Sequence, residues 1–229
     1  MRRVLPHVRH ILWDVDGTIF SSEEIIHEIY REAFEAHRAA FGRPAHLPDL
    51  EAIINEIGKP VRVIFENLAP DLETTERERL SLTILHRLVL AIGEGRGHYY
   101  AGMVETLGEL AKRGFRFYAA SNGRYPYIEA ILRKAGILGL FSDVVSVDGR
   151  LIHDKNQLVL DILKRHQIDR SRAALVGDRA SDRDAALQAE LPFVACAYGH
   201  GSAPEWQGAV CTVQSPEELL EVFSADGSG

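Results

Sequence analysis

The second half of the chain alternates short apolar runs with helical patterns, and this alternation limits the possible folds more than any other feature. Runs at 115–120, 143–147, 173–176 and 193–197, with a short last one at 209–213, read as strands. Between and after them, apolar residues three and four apart at 104–113, 127–135, 156–166, 180–189 and 216–223 read as helices. Strands that alternate with helices predict a mostly parallel sheet covered on both faces, a Rossmann-like α/β core. An earlier apolar run, 8–15, supplies a first strand to the same sheet.

That first strand is separated from the others by a block of different character. From residue 22 to 41 apolar side chains recur at Ile26, Ile29, Tyr30, Ala33, Phe34 and Phe41, one face of a helix. The pattern continues through 50–57, 61–68 and 75–92, broken at Gly58-Lys59-Pro60 and Ala69-Pro70-Asp71. Residues 21–95 are therefore expected to be a helical insert. The expected domains are an α/β core made of 1–20 and 96–229 and a helical cap made of 21–95, joined by a flexible Gly93-Glu94-Gly95-Arg96-Gly97 stretch. A Gly-Ser tail at 226–229 closes the sequence.

Composition excludes several classes. The 229 residues are 46% hydrophobic and 26% charged with a formal charge of −7, which is too apolar for a disordered chain and lacks the basic face of a nucleic-acid binder. Arg9, His10, Asp14 and Asp16 break any signal-peptide apolar region, and no run approaches the ~18 apolar residues of a spanning segment. The two cysteines, Cys196 and Cys211, lie in apolar stretches and read as buried thiols. The expectation is a cytoplasmic protein with no membrane or nucleic-acid partner, whose state as monomer or homodimer is left open.

In open parallel sheets ligands bind beyond the carboxyl ends of the strands. Reading the residues there gives Asp14, Asp16, Gly17 and Thr18 after the first strand, Ser121 and Asn122 after the second, and Asp178 with Asp182 after the fourth. Lys155 opens the helix that follows the third strand. Asp14 and Asp16 are two apart in extended chain, so their side chains point the same way and repel unless a cation intervenes. Four acids with oxygen ligands and no histidine or cysteine pairing favour a hard cation, Mg²⁺ best. Ser121 and Asn122, between strand and helix, suit an anion, so a phosphate that bridges metal and protein is the implied ligand. A carboxylate nucleophile would split attack on a phosphate monoester into two steps through an aspartyl-phosphate. Taken singly, Ser121 is equally a helix cap, Asp16-Gly17 a turn and Lys155 a surface charge; it is their shared edge that points to chemistry.

Asp14-Val15-Asp16-Gly17-Thr18 after an apolar strand, Ser121-Asn122, Lys155, and Gly177-Asp178 with Asp182 resemble, in order and spacing, the four motifs of the haloacid dehalogenase-like superfamily. The helical insert is similar to the C1 cap of the subgroup that includes phosphoglycolate phosphatase and β-phosphoglucomutase. The resemblance implies that Asp14 is the nucleophile and Asp16 the general acid and base. It further implies that Asp14, Asp16 through its carbonyl, and Asp178 hold Mg²⁺, with Asp182 a ligand through water or a support. Thr18, Ser121, Asn122 and Lys155 would bind the phosphoryl group. The sequence departs from the pattern at Asn156, where many relatives have Pro, and at Trp13 before the nucleophile; neither removes a reacting group. The loop at Gly58-Lys59-Pro60-Val61-Arg62 is similar to the one that selects substrate, so Lys59 and Arg62 are expected either to meet an acidic group of the substrate or to form a solvated helix start. His200, after the fifth strand, is read as a surface residue, with a place in the lining of the site as the alternative. The expected function is a Mg²⁺-dependent phosphatase acting on a small phosphorylated metabolite, with a phosphosugar mutase or a non-catalytic phosphate-binding protein as alternatives.

Overall fold

The computed structural model describes residues 4–42, 46–147 and 154–224. The 226–229 tail lies outside them. Strand β1 (His10–Trp13) is followed by β2 (Phe20–Ser21) and then by four helices, α1 (Glu23–Phe41), α2 (Leu50–Glu56), α3 (Val61–Leu68) and α4 (Thr74–Gly93). After β3 (His98–Tyr99) come α5 (Met103–Lys112), β4 (Arg116–Ser121), α6 (Tyr125–Lys134), β5 (Phe141–Ser146), α7 (Lys155–Arg165), β6 (Ala173–Gly177), α8 (Ala180–Gln188), β7 (Phe193–Cys196), β8 (Cys211–Val213) and α9 (Leu219–Val222). Six strands form one parallel sheet in the order β5-β4-β1-β6-β7-β8. This is the α/β architecture that the alternation predicts.

The period of two along each strand assigns side chains to faces. Ile11 and Trp13 of β1 pack with Phe117 and Ala119 of β4 and Val176 of β6, in a core closed by α5, α6 and α9. Leu12, with Tyr118 and Leu175, faces the other way into a second core under α7 and α8. Both faces of β1 are buried from Ile11 to Trp13, which is why these three residues are all apolar. Asp14 shares the parity of Leu12 and therefore turns towards α7 and α8, while its backbone N–H still donates to Val176 O at 2.9 Å, extending the ladder by one residue.

The four helices α1 to α4 enclose a third apolar cluster of their own, built on Ile29, Phe34, Ile53, Phe65, Leu80 and Ile84. The helical reading of the insert holds for these elements, with one correction. The insert is entered and left through a two-stranded antiparallel ribbon in which Phe20 pairs with Tyr99 and Ser21 with His98, so Ser21 is strand. Leu88 packs against both the insert's cluster and the core beneath it. At the chain's end, the expected helix 216–223 divides into a 3₁₀ turn at Pro216–Glu218 and the short α9. Among the described residues no helix is long and apolar enough to cross a membrane.

Candidate active site

The carboxyl edge of the sheet gathers the predicted residues. Lys155, the first residue of α7, sits behind an N-cap in which Asp154 accepts the Gln157 N–H at 2.9 Å. Its ammonium, only 2% exposed, donates to Asp14 Oδ1 at 2.6 Å and to Asp182 Oδ1 at 2.5 Å. Asp182 occupies the third position of α8 and takes the Arg179 N–H on its other oxygen at 3.0 Å. Asp178, directly after β6, accepts the backbone N–H groups of His200 and Gly201 on Oδ2 at 2.8 and 3.2 Å. The hydroxyl of fully buried Thr18 donates to Asp178 Oδ1 at 3.3 Å.

One oxygen from each of Asp14, Asp178 and Asp182 lies within 4.8 Å of the others, and all three residues are buried. Burial, opposed by Lys155 and aided by Asp178, lifts Asp14 to about 6. Burial and the charge of Asp182 lift Asp178 to about 7, and burial against the pull of Lys155 lifts Asp182 to about 6. For Lys155 burial works against the charge, but Asp14 and Asp182 outweigh it and hold the ammonium well above the usual lysine range. Three carboxylates facing one ammonium keep an excess of negative charge in a place without water's screening. Such an all-oxygen set fits a hard divalent cation, and Asp14, Asp178 and Asp182 are placed to hold a metal ion.

Asp16 stands on the cavity side of this cluster. Tyr127 donates its hydroxyl to Asp16 Oδ2 at 2.8 Å, and Ser22 lies 3.4 Å from both oxygens. The His200 imidazole is 1% exposed, with Nδ1 at 2.7 Å from Glu23 Oε1 and Nε2 at 3.7 Å from Asp16 Oδ1. Burial disfavours its charge, but Asp16, Asp178 and Glu23 prevail and raise it to about 9. The expectation of a surface role for His200 is therefore corrected: the loop after β7 folds back because its N–H groups bind Asp178, and this carries the ring inward. Tyr127 was missed because a tyrosine on the apolar face of α6 has the pattern of a core residue; only the fold places its hydroxyl beside Asp16.

Ser121 and Asn122 are both buried at the end of β4. Ser121 Oγ accepts the Gly123 N–H at 3.2 Å, while Asn122 Nδ2 donates to Gly58 O in the insert at 2.7 Å. Ser181 Oγ also reaches Gly58 O, at 3.4 Å. The 58–62 loop sits over the sheet edge, and of the two expectations for Lys59 and Arg62 their pairing is that of a solvated helix start. Lys59 pairs with Glu56 at 2.7 Å and Arg62 with Glu66 at 2.5 Å, acids one helical turn away on their own insert. Gly58 and Val61 line the cavity instead, together with Asp14, Asp16 and Ser121.

A family model for haloacid dehalogenase-like hydrolases matches residues 8–190, and the chain belongs to that family. Over 229 aligned residues it is 26% identical to the phosphoglycolate phosphatase of Vibrio parahaemolyticus, covering 95% of this chain and 96% of that protein. The same fold is seen in a haloacid dehalogenase-like family hydrolase from Streptococcus pneumoniae, with TM-score 0.76 and 19% identity over 93% of this chain and 97% of that one. It is seen again in CbbY from Rhodobacter sphaeroides in complex with phosphate, with TM-score 0.73 and 23% identity over 93% of this chain and 96% of that one.

Proposed function

We propose that the protein is a Mg²⁺-dependent phosphatase that hydrolyses a small phosphorylated metabolite through an aspartyl-phosphate on Asp14. The observation that carries this reading is the buried Asp14 carboxylate, held by Lys155 at 2.6 Å and grouped with Asp178 and Asp182, with Asp16 two residues on at the cavity wall. Lys155 fixes Oδ1, which leaves Oδ2 to attack phosphorus. As the new P–O bond forms, the ester P–O bond breaks and the leaving oxygen takes a proton from Asp16, which then removes a proton from water. The resulting hydroxide attacks phosphorus, the bond to Asp14 breaks, and phosphate leaves with Asp14 again a carboxylate and Asp16 again carrying its proton. General acid and base help of this kind supplies roughly 10² to 10⁴ in rate.

Asp14, Asp178 and the Asp16 carbonyl would hold Mg²⁺, whose charge lets an anionic ester approach anionic Asp14. Asp182, which accepts from Lys155 and the Arg179 N–H, would position the lysine and complete the metal site beside Asp14 and Asp178. Ser121, Asn122, Thr18 and Lys155 form the phosphoryl end of the site, and the helical insert serves as a cap that shields it from bulk water. Asn122 would exchange its hydrogen bond to Gly58 for one to a phosphoryl oxygen.

The test is phosphate release from a panel of phosphomonoesters, phosphoglycolate included, with Mg²⁺ and after EDTA. Asp14→Asn should lose about 10⁴-fold or more in kcat while keeping its circular-dichroism spectrum. Near wild-type turnover by that variant, or full activity in EDTA, would remove the proposed mechanism.

A further inference from the structure

From Asp16 the cavity runs between the insert and the core, with about 100 Å³ of free space. Away from the acidic pair most of its wall is hydrocarbon, from Ile26, Ile57, Val61, Phe65, Ile84 and Leu88, with the hydroxyls of Tyr30 and Ser81 set among it. Tyr30 and Phe65 stack there with ring planes 8° apart and centroids 6.0 Å apart. Arg124 is the one basic side chain among the described lining residues. Its Nη2 is already committed, at 2.9 Å to both oxygens of Glu78 and 3.0 Å to Ser81 Oγ. Lys59 and Arg62 are likewise paired with acids and stand outside the lining.

A leaving group with its own carboxylate would lose water here, stand close to Asp16, and have to share the one guanidinium of the wall, Arg124, with Glu78. A sugar would bury several hydroxyls in a cavity where Ser22, Tyr30, Ser81 and Ser121 offer fewer partners than water does, most of the wall being apolar. A hydrocarbon group loses nothing and removes its own and the cavity's apolar surface from water. Building on the phosphatase reading, we propose that the substrate is the phosphate ester of an apolar alcohol, whose short alkyl chain or single ring fills the space between Val61, Phe65 and Leu88. The site would thereby differ in preference from the phosphoglycolate phosphatases that the chain resembles.

The experiment compares kcat/KM for ethyl, propyl, butyl and phenyl phosphate with that for phosphoglycolate, all with Mg²⁺. The expected result is a rise of about fourfold per added methylene across the alkyl series, with phosphoglycolate below butyl phosphate. Val61→Lys, at a half-buried position that tolerates a long side chain, should lower the butyl value and raise the phosphoglycolate value. A flat alkyl series, or phosphoglycolate preferred by the wild type, overturns the assignment of the cavity while leaving the phosphatase reading intact. Hydrolysis of none of the five esters overturns the phosphatase reading itself.

Discussion

Lys155 shows how much depends on single side chains at this sheet edge. It lies between two buried carboxylates, so removing its charge strands both of them in a low-dielectric site. Lys155→Met should therefore lower unfolding free energy by about 3–5 kcal/mol in metal-free buffer at pH 7.5, measured by urea denaturation; a loss below about 1 kcal/mol would mean that the pair is not held as described. The same cluster sets a pH dependence. Asp14, Asp178 and Asp182 have folded pKa values raised to about 6 to 7 from an unfolded value near 3.9. The metal-free protein is thus free of this penalty below pH ~4 and loses stability as pH rises through that window. A divalent cation binds only the ionised form, so the gain in Tm from saturating Mg²⁺ should be small at pH 5 and large at pH 8. Equal gains at both pH values would take the three carboxylates out of the metal site.

At the scale of elements, the contact between insert and core is concentrated on the 58–62 turn. Gly58 has φ +90°, and a Cβ there would stand 2.9 Å from Arg179 Cγ. Gly58→Ala should both strain the turn and lift it from Asn122 and Ser181, raising KM several-fold. Gly42→Ala, with φ +66° and open space around it, carries the backbone strain alone and should leave KM unchanged; a matching rise there would show that general destabilisation is responsible. The elements themselves were legible to very different degrees. β6 and β7 are apolar throughout, and β1 and β4 are so after their first residues, His10 and Arg116, up to Ser121 at the end of β4, because both faces are buried, and the insert's helices repeat at three and four residues. The β2–β3 ribbon was not legible, since two residues per strand carry no period and the pairing of Phe20 with Tyr99 is made across the whole insert. The acidic cluster and Lys155 followed from the rule that strand ends converge. Tyr127 and His200 did not, because their roles arise from where α6 and the loop after β7 come to rest. For Lys59 and Arg62 two readings stay open in the sequence, because it shows a charge but not whether that charge pairs with a nearby acid of its own insert or with a ligand.

For the molecule as a whole, the two bodies of apolar packing differ in depth. α2 and α3 bury only Ile53, Glu56 and Phe65 between them, whereas every strand residue of β6 is buried. Under rising urea, native-state hydrogen exchange should release the amides of α2 and α3 well before those of β1, β4 and β6; simultaneous release would make the insert and the sheet one cooperative unit. The strand order carries a consequence of another kind. Central β1 pairs with residues 116–119 on one side and 173–176 on the other, and both partners lie far downstream. At roughly 5–20 residues per second, a ribosome leaves the emerged His10–Trp13 segment without either neighbour for a time on the order of ten seconds. The intervening helices pack on one another within residues 23–93 and have emerged in full before either partner strand, so they are expected to fold first. Newly made chains therefore pass through a stage with a folded helical unit and a bare apolar strand ahead of it, and during synthesis that strand is the segment most in need of protection from other chains.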